Sequence, residues 1–315
     1  MDTLKIGTRA SKLAMWQAQW VKDSLRRNGW NQEIELIPIR TKGDKILDSP
    51  LAKIGGKGLF VKEIEDALIR NEIDIAVHSM KDVPTKLVDG LTIGAVTARE
   101  DPRDALVSKD NMILKHLPKD AMVGTSSLRR QSQILHHFPG FQIVQIRGNV
   151  ETRLRRIEGP EGLNAVIVAA AGLNRLGLYD HVTEYLPPEI CLPAIGQGAL
   201  GIEIREDDSR IQEIIQTIDD HPTKIAVIAE RAFLHRLGGS CQVPIAGFAE
   251  VQGGTELVLE GMVASLDGGR MIRDKLSAPI EDAQKIGIEL AEQLLAEGAS
   301  KILDDIMIQQ GQQSE

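Results

Sequence analysis

The chain has 315 residues and a formal net charge of −8 at pH 7; 42% of its residues are hydrophobic and 3% are aromatic. This length allows two or three domains that each bury a core of their own. The few aromatic residues weaken any role in stacking nucleic-acid bases, and no run of about 18 uncharged apolar residues suggests a membrane span. The start of the chain lacks the basic and apolar segments of a secretory signal, and the two cysteines fit a reducing compartment, so we expect a cytoplasmic protein.

Strands and helices alternate from the N-terminus, because the spacing of apolar residues changes between the strand and helix periods. The predicted elements are strands at Leu4–Gly7, Glu33–Ile39, Ile73–Val77 and Thr92–Val96 and helices at Ser11–Arg27 and Phe60–Arg70. Such alternation predicts mostly parallel sheets, in which ligands bind at the carboxyl ends of the strands. The first strand-to-helix junction, Thr8-Arg9-Ala10-Ser11, carries an arginine at such an end.

The segment from Asp48 to Phe60 is rich in glycine and basic. Its composition is like that of a phosphate-binding loop, but it lacks the Gly-x-x-x-x-Gly-Lys-Ser/Thr pattern. We therefore predict a mobile lid over a ligand cleft. The predicted lid residues are Lys53, Gly55, Gly56, Lys57, Gly58 and Phe60.

Asp82 follows the buried strand at Ile73–Val77, in a turn that Pro84 stiffens, and is the candidate catalytic carboxylate. As an anion it would stabilise a cationic intermediate and accept a hydrogen bond from an N–H group; with a raised pKa it would act as an acid. A turn aspartate that bonds its own backbone explains these residues equally well.

A second set of elements carries a concentration of arginine. The predicted elements are strands at Met122–Val123, Phe141–Ile146 and Asn164–Ala170 and helices at Ser126–His137 and Val150–Ile157. The arginines between Gly124 and Ile157 are Arg129, Arg130, Arg147, Arg153, Arg155 and Arg156, opposed by Glu151. Because the whole chain is acidic, this basic region predicts a small polyanionic ligand rather than a long nucleic acid. We expect Arg155 and Arg156 to lie on a solvated helix face.

Two strand-to-helix junctions in this region suit an anion. Gly124–Arg130 and Arg147–Arg153 each place free backbone N–H groups and guanidinium groups at a helix start. Ordinary N-capping by Ser126 explains the first junction as well, and the two roles are compatible. The adjacent His136 and His137 diverge on a helix, so we predict no metal site.

The third part of the chain changes pattern after a helix predicted at Thr223–Leu237. Hairpin signals at Gly253-Gly254 and Asp267-Gly268-Gly269 flank short strands such as Leu257–Leu259, and helices follow at Glu281–Leu295 and Lys301–Ile308. Cys241 lies at the entrance to this part, on a glycine-flanked turn that exposes its thiol. A packing role and a reactive role both remain open for Cys241, and Cys191 is expected to be a buried packing thiol.

The predicted fold class is α/β: two α/β domains like those of periplasmic binding proteins form a cleft, and a small C-terminal α+β domain follows. The buried strands at Ile73–Val77 and Asn164–Ala170 resemble each other, which supports two similar α/β domains. The predicted domains are residues 1–98 with 199–217, residues 99–198, and residues 218–315.

Five motifs together resemble the signatures of the porphobilinogen deaminase family, also called hydroxymethylbilane synthases, in the right order over nearly the whole chain. They are Val77-His-Ser-Met-Lys-Asp-Val-Pro84, Gly124-Thr-Ser-Ser-Leu-Arg-Arg130, Ile146-Arg-Gly-Asn149, Leu192-Pro-Ala-Ile-Gly-Gln-Gly-Ala199 and Cys241-Gln-Val-Pro244. In one departure, Gly238 and Ser240 replace the Glu and second Gly of a Leu-Glu-Gly-Gly-Cys pattern. The cysteine is retained.

The resemblance implies a specific chemistry. Cys241 would carry a dipyrromethane cofactor through a thioether, and four porphobilinogen units would be added to it, each with loss of ammonia. Hydrolysis would then release linear hydroxymethylbilane, an early product of tetrapyrrole and haem biosynthesis. Asp82 would be the catalytic acid that helps expel ammonia and stabilises the cationic azafulvene. The family implies a monomer, with porphobilinogen as partner and no nucleic acid or membrane.

The resemblance also implies which residues bind. The implied cofactor contacts are Cys241, Lys81, Asp82, Thr125, Ser127, Arg129, Arg130, Arg147 and Gly148. The implied substrate contacts are Arg9, Ser11, Arg147, Arg153, Arg175 and Gln197. The arginines in both groups would hold acetate and propionate side chains.

Two other classes of protein share some of these features. A non-catalytic two-domain anion-binding protein or regulator effector domain has the same hinged α/β architecture, but no export signal or helix-turn-helix is apparent. A thiol hydrolase would use Cys241, but no histidine is obviously placed as its base.

Overall fold

The computed structural model describes residues 3–45, 61–239 and 243–312. Cys241, Ser240 and all six predicted lid residues lie outside these ranges. The chain divides into two compact units, residues 1–100 with 199–224 and residues 101–198 with 225–315. Within the described ranges, no helix combines the length and the apolarity that crossing a membrane requires.

The elements are numbered here in chain order. The strands are β1 Leu4–Arg9, β2 Ile34–Ile39, β3 Ile75–Ser79, β4 Leu91–Val96, β5 Asp104–Ser108, β6 Met122–Gly124, β7 Gln142–Val144, β8 Ala165–Ala169, β9 Glu184–Leu186, β10 Leu200–Arg205, β11 Ile245–Gln252, β12 Glu256–Ala264 and β13 Met271–Pro279. The α-helices are α1 Lys12–Arg27, α2 Lys42–Lys45, α3 Lys62–Ile69, α4 Leu128–His137, α5 Val150–Arg155, α6 Ala170–Arg175, α7 Ser209–Gln216, α8 His221–Arg236, α9 Ala283–Leu294 and α10 Ser300–Gln312.

Two five-stranded sheets share one topology. In the first unit the strand order is β2-β1-β3-β10-β4, and in the second it is β7-β6-β8-β5-β9. In each sheet the first three strands run parallel, while β10 and β5 lie antiparallel to both of their neighbours. Four of the five strands in each sheet therefore run in one direction, as the prediction of mostly parallel sheets requires. The one reversed strand of each sheet, β10 or β5, follows a chain crossing between the two units.

The resemblance between two buried strands is confirmed by their equivalent places in the two sheets. β3 and β8 each lie between a parallel strand and an antiparallel strand. Ile75 and Val166 are fully buried, and burying such a side chain contributes about 1.5–3 kcal/mol to folding. Both strands therefore lie in the core, and their carboxyl ends are held in place by it.

Helix α1 illustrates how the sequence builds the layer against the first sheet. Ser11 caps the helix by accepting the backbone N–H of Ala14 at 3.3 Å, and Arg26 and Arg27 lie in its last turn, where cations are favoured. Val21 and Leu25, four residues apart, are buried in the core that includes β1 and β3. The helix start is thereby fixed at the carboxyl end of β1.

The C-terminal part is a three-stranded antiparallel meander, β11-β12-β13, with α9 packed on it. The two predicted hairpins are confirmed, since Gly253-Gly254 joins β11 to β12 and Asp267-Gly268-Gly269 lies between β12 and β13. Helices α8, α9 and α10 bury apolar residues around Phe233, which is fully buried. The α/β class with two sheet-rich parts and a small C-terminal α+β part is thus confirmed, while the exact domain boundaries stay a prediction.

The hairpin between β12 and β13 rests directly on α4. Nδ1 of His136 donates to the carbonyl of Gly268 at 2.8 Å, and Nε2 of Gln131 donates to the carbonyl of Leu266 at 3.1 Å. Gly268 has a φ of +71°, and a Cβ there would lie 2.5–2.8 Å from backbone atoms of α4. Only glycine satisfies both the backbone conformation and this close approach.

Candidate functional site

A cavity of about 60 Å³ lies at the carboxyl ends of β1 and β3 in the first unit. Neighbouring parallel strands end at the same edge of a sheet, so the residues that follow them meet there. The polar residues that line this cavity are Arg9, Ser11, Gln17, His78, Ser79 and Asp82. Three of the predicted site residues, Arg9, Ser11 and Asp82, are therefore brought together.

Asp82 ends a short 3₁₀ turn, Met80–Asp82, that is anchored from both sides. The N–H of Met80 donates to the carbonyl of Ala199 at 3.0 Å, and the N–H of Val83 donates to the carbonyl of Met80 at 3.2 Å. The side chain of Met80 is buried, while Asp82 is exposed and Lys81 is half-buried. The carboxylate is thus presented to solvent and to the cavity from a fixed backbone.

The opposite wall of this cavity is fixed by α1. Nε2 of Gln17 donates to Oγ of Ser79 at 3.0 Å, which joins α1 to the end of β3. Oγ1 of Thr8 donates to the carbonyl of Ala14 at 3.1 Å, which joins α1 to β1. Arg9 and Ser11 therefore stand on a rigid junction, as the strand-to-helix pattern predicts.

A buried ionisable cluster beside the cavity was not predicted. Nε2 of His78 lies 2.8 Å from Oε2 of Glu203, and both side chains are almost completely buried. Glu65 on α3 is buried nearby; burial raises the pKa of Glu65, Glu203 raises it further, and His78 lowers it. Burial of Glu203 was not predicted, although its position between Ile202 and Ile204 was a signal of it.

In the second unit, the start of α4 gathers four predicted residues: Thr125, Ser127, Arg129 and Arg130. Ser127, rather than the predicted Ser126, is the N-cap, since its Oγ accepts the N–H of Arg130 at 3.4 Å. The N–H of Ser127 donates to Oγ1 of Thr125 at 3.2 Å, and Thr125 is fully buried. The helix start is therefore capped, but the prediction that Ser126 is the capping residue is wrong by one position.

Asp104 on β5 binds both arginines of this helix. Its Oδ2 accepts a hydrogen bond from Nη1 of Arg129 at 2.8 Å. Its Oδ1 accepts hydrogen bonds from Nε and Nη2 of Arg130 at 3.0 and 2.7 Å. Arg129 and Arg130 are each 5% exposed, and Asp104 is fully buried. Asp104 lies 25 residues before Arg129, and no sequence pattern connects the two.

The cluster around Asp104 carries more positive than negative charge. Burial by itself would raise the pKa of Asp104, but Arg129 and Arg130 outweigh it and hold that pKa below the usual carboxyl range. Burial and Asp104 raise the pKa of Cys191 to about 12, so this thiol stays neutral. Two guanidinium groups thus face one carboxylate. Nε of Arg129 is buried without a hydrogen-bond partner among the described residues.

Cys191 is buried, as expected, but its surroundings are polar rather than purely apolar. Its Sγ donates to Oδ2 of Asp104 at 3.2 Å. Nε2 of Gln133 donates to the carbonyl of Leu192 at 3.2 Å, and the N–H of Leu192 donates to Oε1 of Gln133 at 2.7 Å. The thiol therefore belongs to the hydrogen-bond network of the arginine cluster.

The junction before α5 holds Arg147, Gly148 and Arg153. Asn149 caps the helix by accepting the N–H of Thr152 at 2.8 Å, and Nε of Arg153 donates to the carbonyl of Gly148 at 2.9 Å. Gly148 has a φ of +107°, and a Cβ there would lie 2.8 Å from the side chain of Thr152. Glycine is therefore required for this turn. Arg155 and Arg156 are exposed, as predicted.

Arg175 and Gln197 stabilise the chain segment that precedes the second crossing. Nη2 of Arg175 donates to the carbonyl of Gly198 at 2.5 Å. Nε2 of Gln197 donates to the carbonyl of Pro102 at 2.7 Å and to Oδ1 of Asp104 at 2.9 Å. Both side chains are buried, so these donors serve the fold of the second unit. Their predicted contact with a substrate stays a prediction.

A metal site is not indicated by the part of the chain that the structure describes, which holds no group of three or more His, Cys, Asp or Glu residues able to bind an ion. The two histidines of α4, His136 and His137, have their rings at 82° to each other. The arginine-rich helix starts instead suit carboxylate or phosphate groups.

The strand ends of the two α/β units carry arginine, hydroxyl and carboxylate groups, a combination typical of proteins that bind small organic anions. The chain belongs to the porphobilinogen deaminase family: the profile described as "Porphobilinogen deaminase, dipyromethane cofactor binding domain" matches residues 4–213, and "Porphobilinogen deaminase, C-terminal domain" matches residues 224–296.

Two proteins of similar sequence are named porphobilinogen deaminase. Porphobilinogen deaminase of Geobacter metallireducens is 57% identical over 303 residues, which cover 96% of this chain and 94% of that protein. That of Syntrophotalea carbinolica is 55% identical over 302 residues, covering 96% and 95%. Among solved structures, the Bordetella pertussis BvgS periplasmic VFT2 domain aligns with 69% of this chain and 86% of that chain, at 12% identity and a TM-score of 0.40. That structural similarity is too low to support a functional conclusion.

Proposed function

We propose that this protein joins four porphobilinogen molecules into linear hydroxymethylbilane with release of four ammonia, on a dipyrromethane held covalently by Cys241. The observation that carries this proposal is membership of the porphobilinogen deaminase family over residues 4–213 and 224–296. The cavity at the ends of β1 and β3 supports it, because a carboxylate and a guanidinium line the same small space.

Asp82 is proposed as the catalytic carboxylate. Loss of ammonia from an aminomethyl pyrrole leaves a cation, and a fixed carboxylate beside it stabilises that cation and accepts a hydrogen bond from the pyrrole N–H. The rigid turn at Met80–Asp82 supports this role, because an already positioned charge needs no reorganisation during the reaction. Arg9 and Ser11 in the same cavity would hold an acidic side chain of the substrate.

The residues at the start of α4 fit a cofactor with carboxylate side chains. Two guanidinium groups face one carboxylate there. Among the described residues, the buried Nε–H of Arg129 has no hydrogen-bond acceptor. Arg129 and Arg130, with Arg147, would bind the carboxylates, and Thr125 and Ser127 would add hydroxyl and backbone donors. Lys81 and Gly148 complete the proposed set. The dipyrromethane supplies the pyrrole carbon from which the chain grows.

Further proposals complete the functional assignment. Arg147, Arg153, Arg175 and Gln197 are proposed contacts of the growing chain, and the lid is proposed to comprise Lys53, Gly55, Gly56, Lys57, Gly58 and Phe60. The proposed domains are residues 1–98 with 199–217, 99–198 and 218–315. We also propose that the protein is a cytoplasmic monomer.

Intact mass and product formation test this function together. The purified protein is expected to be heavier than its sequence by one dipyrromethane, and Cys241→Ser is expected to have only its polypeptide mass. Asp82→Asn is expected to keep the added mass and lose most turnover, while Asp89→Asn, an exposed aspartate seven residues later, keeps both. An unmodified wild type that makes hydroxymethylbilane at full rate would overturn the cofactor assignment. A protein that binds porphobilinogen without converting it would favour the non-catalytic anion-binding alternative.

A further inference from the structure

Asp104 binds the guanidinium groups of Arg129 and Arg130 in two different ways. Its Oδ2 accepts a hydrogen bond from Nη1 of Arg129 at 2.8 Å, at the end of that guanidinium group. Its Oδ1 accepts hydrogen bonds from Nε and Nη2 of Arg130 at 3.0 and 2.7 Å, along the side of that group. Because the donors of arginine form a planar and rigid fork, the atoms that Asp104 occupies decide which edge each arginine has left for a ligand.

Arg130 is held by the fold of the second unit. In addition to its bonds with Asp104 on β5, its Nη1 donates to the carbonyl of Ile167 on β8 at 3.0 Å. All three nitrogens of this guanidinium group therefore donate to the protein. The side chain is almost completely buried between these two strands. The edge formed by Nε and Nη2, which suits a bidentate carboxylate, is already occupied by Asp104.

Arg129 keeps that edge. Its Nη1 donates to the carbonyl of Leu192 at 2.7 Å, in addition to Asp104, and lies 3.6 Å from Sγ of Cys191. Within the described ranges, every hydrogen bond from this side chain comes from Nη1, and the buried Nε–H has no acceptor. Buried N–H groups are nearly always paired, so a carboxylate at the Nε edge would complete the hydrogen bonding of Arg129.

The balance of charge favours the same partner. The cluster joins two guanidinium groups to the single carboxylate of Asp104. Cys191 adds no charge, because burial and Asp104 raise the pKa of its thiol to about 12. The other side chains that contact the cluster, Gln133 and Gln197, are uncharged. Since buried charges are favourable only when they are paired, one further carboxylate would balance this cluster.

We infer that Asp104 is a positioning residue that gives the two arginines separate roles in the proposed cofactor site. It fixes Arg130 as part of the fold and orients Arg129 so that the Nε edge binds one carboxylate side chain of the dipyrromethane. Both roles rest on the proposed function, in which these arginines hold the cofactor. Without Asp104, each guanidinium group loses the contact that fixes its edge, and the site no longer presents a defined pair of donors.

Nuclear magnetic resonance of isotope-labelled arginine tests these roles without any change to Asp104. The Nε–H signals of Arg129 and Arg130 are assigned by through-bond correlation with their backbone amides. The loaded wild type is compared with Cys241→Ser, which cannot attach the cofactor. The Arg129 signal is expected to move downfield on loading, because its Nε–H gains an acceptor, while the Arg130 signal stays in place. An unmoved Arg129 signal, or an Arg130 signal that moves as far, overturns the inference.

Intact mass tests the positioning role itself. The folded fraction of Asp104→Asn, isolated by size-exclusion chromatography and checked by circular dichroism, is expected to lose most of the dipyrromethane mass. Asp120→Asn removes an exposed aspartate of the same unit and is the matched control, which stays fully loaded. A merely structural Asp104 would lower the yield of folded protein without changing the fraction of folded molecules that carry the cofactor.

Asp104 is not a positioning residue if folded Asp104→Asn is loaded as fully as Asp120→Asn. If Asp104→Asn does not fold, the arginine signals of the wild type and Cys241→Ser decide the question. A wild type that carries no added mass would instead overturn the proposed function. The two failures are therefore distinguishable.

Discussion

Replacing Asp104 by asparagine tests the buried arginine cluster most directly. The two carboxylate oxygens accept five hydrogen bonds, from Arg129, Cys191, Gln197 and twice from Arg130. An asparagine has the same shape but only one acceptor oxygen. Its NH₂ group would take the place of the other oxygen and would face the N–H or S–H donors that now bond to it. The substitution would also leave two buried guanidinium groups without a compensating charge.

The expected loss follows from the burial of the three charges. Breaking a buried ion pair by removing one partner costs about 3–5 kcal/mol, against a typical total stability of about 5–15 kcal/mol. Asp101→Asn is the matched control, because Asp101 pairs with Arg103 where the side chains are 19% and 41% exposed. Such a pair contributes about 0–1 kcal/mol. The second unit of Asp104→Asn should therefore be about 2–5 kcal/mol less stable than that of Asp101→Asn.

Urea unfolding followed by two optical probes separates the stability of the second unit from that of the first. All three tryptophans, at positions 16, 20 and 30, lie in the first unit, so their fluorescence reports that unit, while far-ultraviolet circular dichroism reports both. With a slope of about 2–3 kcal/mol/M, the dichroism midpoint of the second unit should fall by about 0.7–2.5 M relative to Asp101→Asn. Equal midpoints for the two variants would refute the assignment of Asp104 as the charge that stabilises this cluster.

Three further outcomes are expected. In urea unfolding, Gly268→Ala should destabilise the second unit by about 1–3 kcal/mol more than Gly254→Ala. Both glycines have a positive φ, but only the Gly268 substitution disrupts the two hydrogen bonds between the hairpin and α4. Equal losses of stability would refute the contact between the hairpin and α4. Cys191, whose pKa is about 12, should resist iodoacetamide at pH 8 until the protein unfolds, as mass spectrometry would show; rapid native labelling at this residue would contradict its burial. Because the folded pKa of Asp104 is depressed, its contribution is present above the unfolded carboxyl pKa and is lost only as pH falls toward the folded value. The stability difference between wild type and Asp104→Asn should therefore be constant from pH 7 to 5, and a steady decline over that range would contradict the depressed pKa.

Local signals in the sequence were sufficient for the longer helices and for the parallel strands of each sheet, but the short helices α2, α6 and α7 were not predicted. The start of α1 at Ser11, the glycine hairpins and the buried strands β3 and β8 all follow from residues that are close in the chain. β5 and β10 were not predicted, because short strands of this kind are defined by pairing with distant residues. β10, for example, pairs with β3 and β4, more than 100 residues earlier.

The same distinction applies to the candidate site. Arg129 and Arg130 could be predicted at a helix start, because the hydroxyl and arginine pattern is local. Their carboxylate partner Asp104 could not be predicted, since the pairing depends on how β5 packs beside β8. The pair of His78 and Glu203, 125 residues apart, was missed for the same reason.

The shared topology of the two sheets sets an order in which they can be completed during synthesis. Every strand of the second sheet lies between residues 104 and 186, whereas the first sheet needs β10, which ends at Arg205. Until β10 emerges, β3 has an open edge and β4 lacks the strand with which it pairs. The sheet that begins second in the sequence is therefore finished first. The N-terminal strands stay incompletely paired, and so prone to aggregation, while about one hundred further residues are translated.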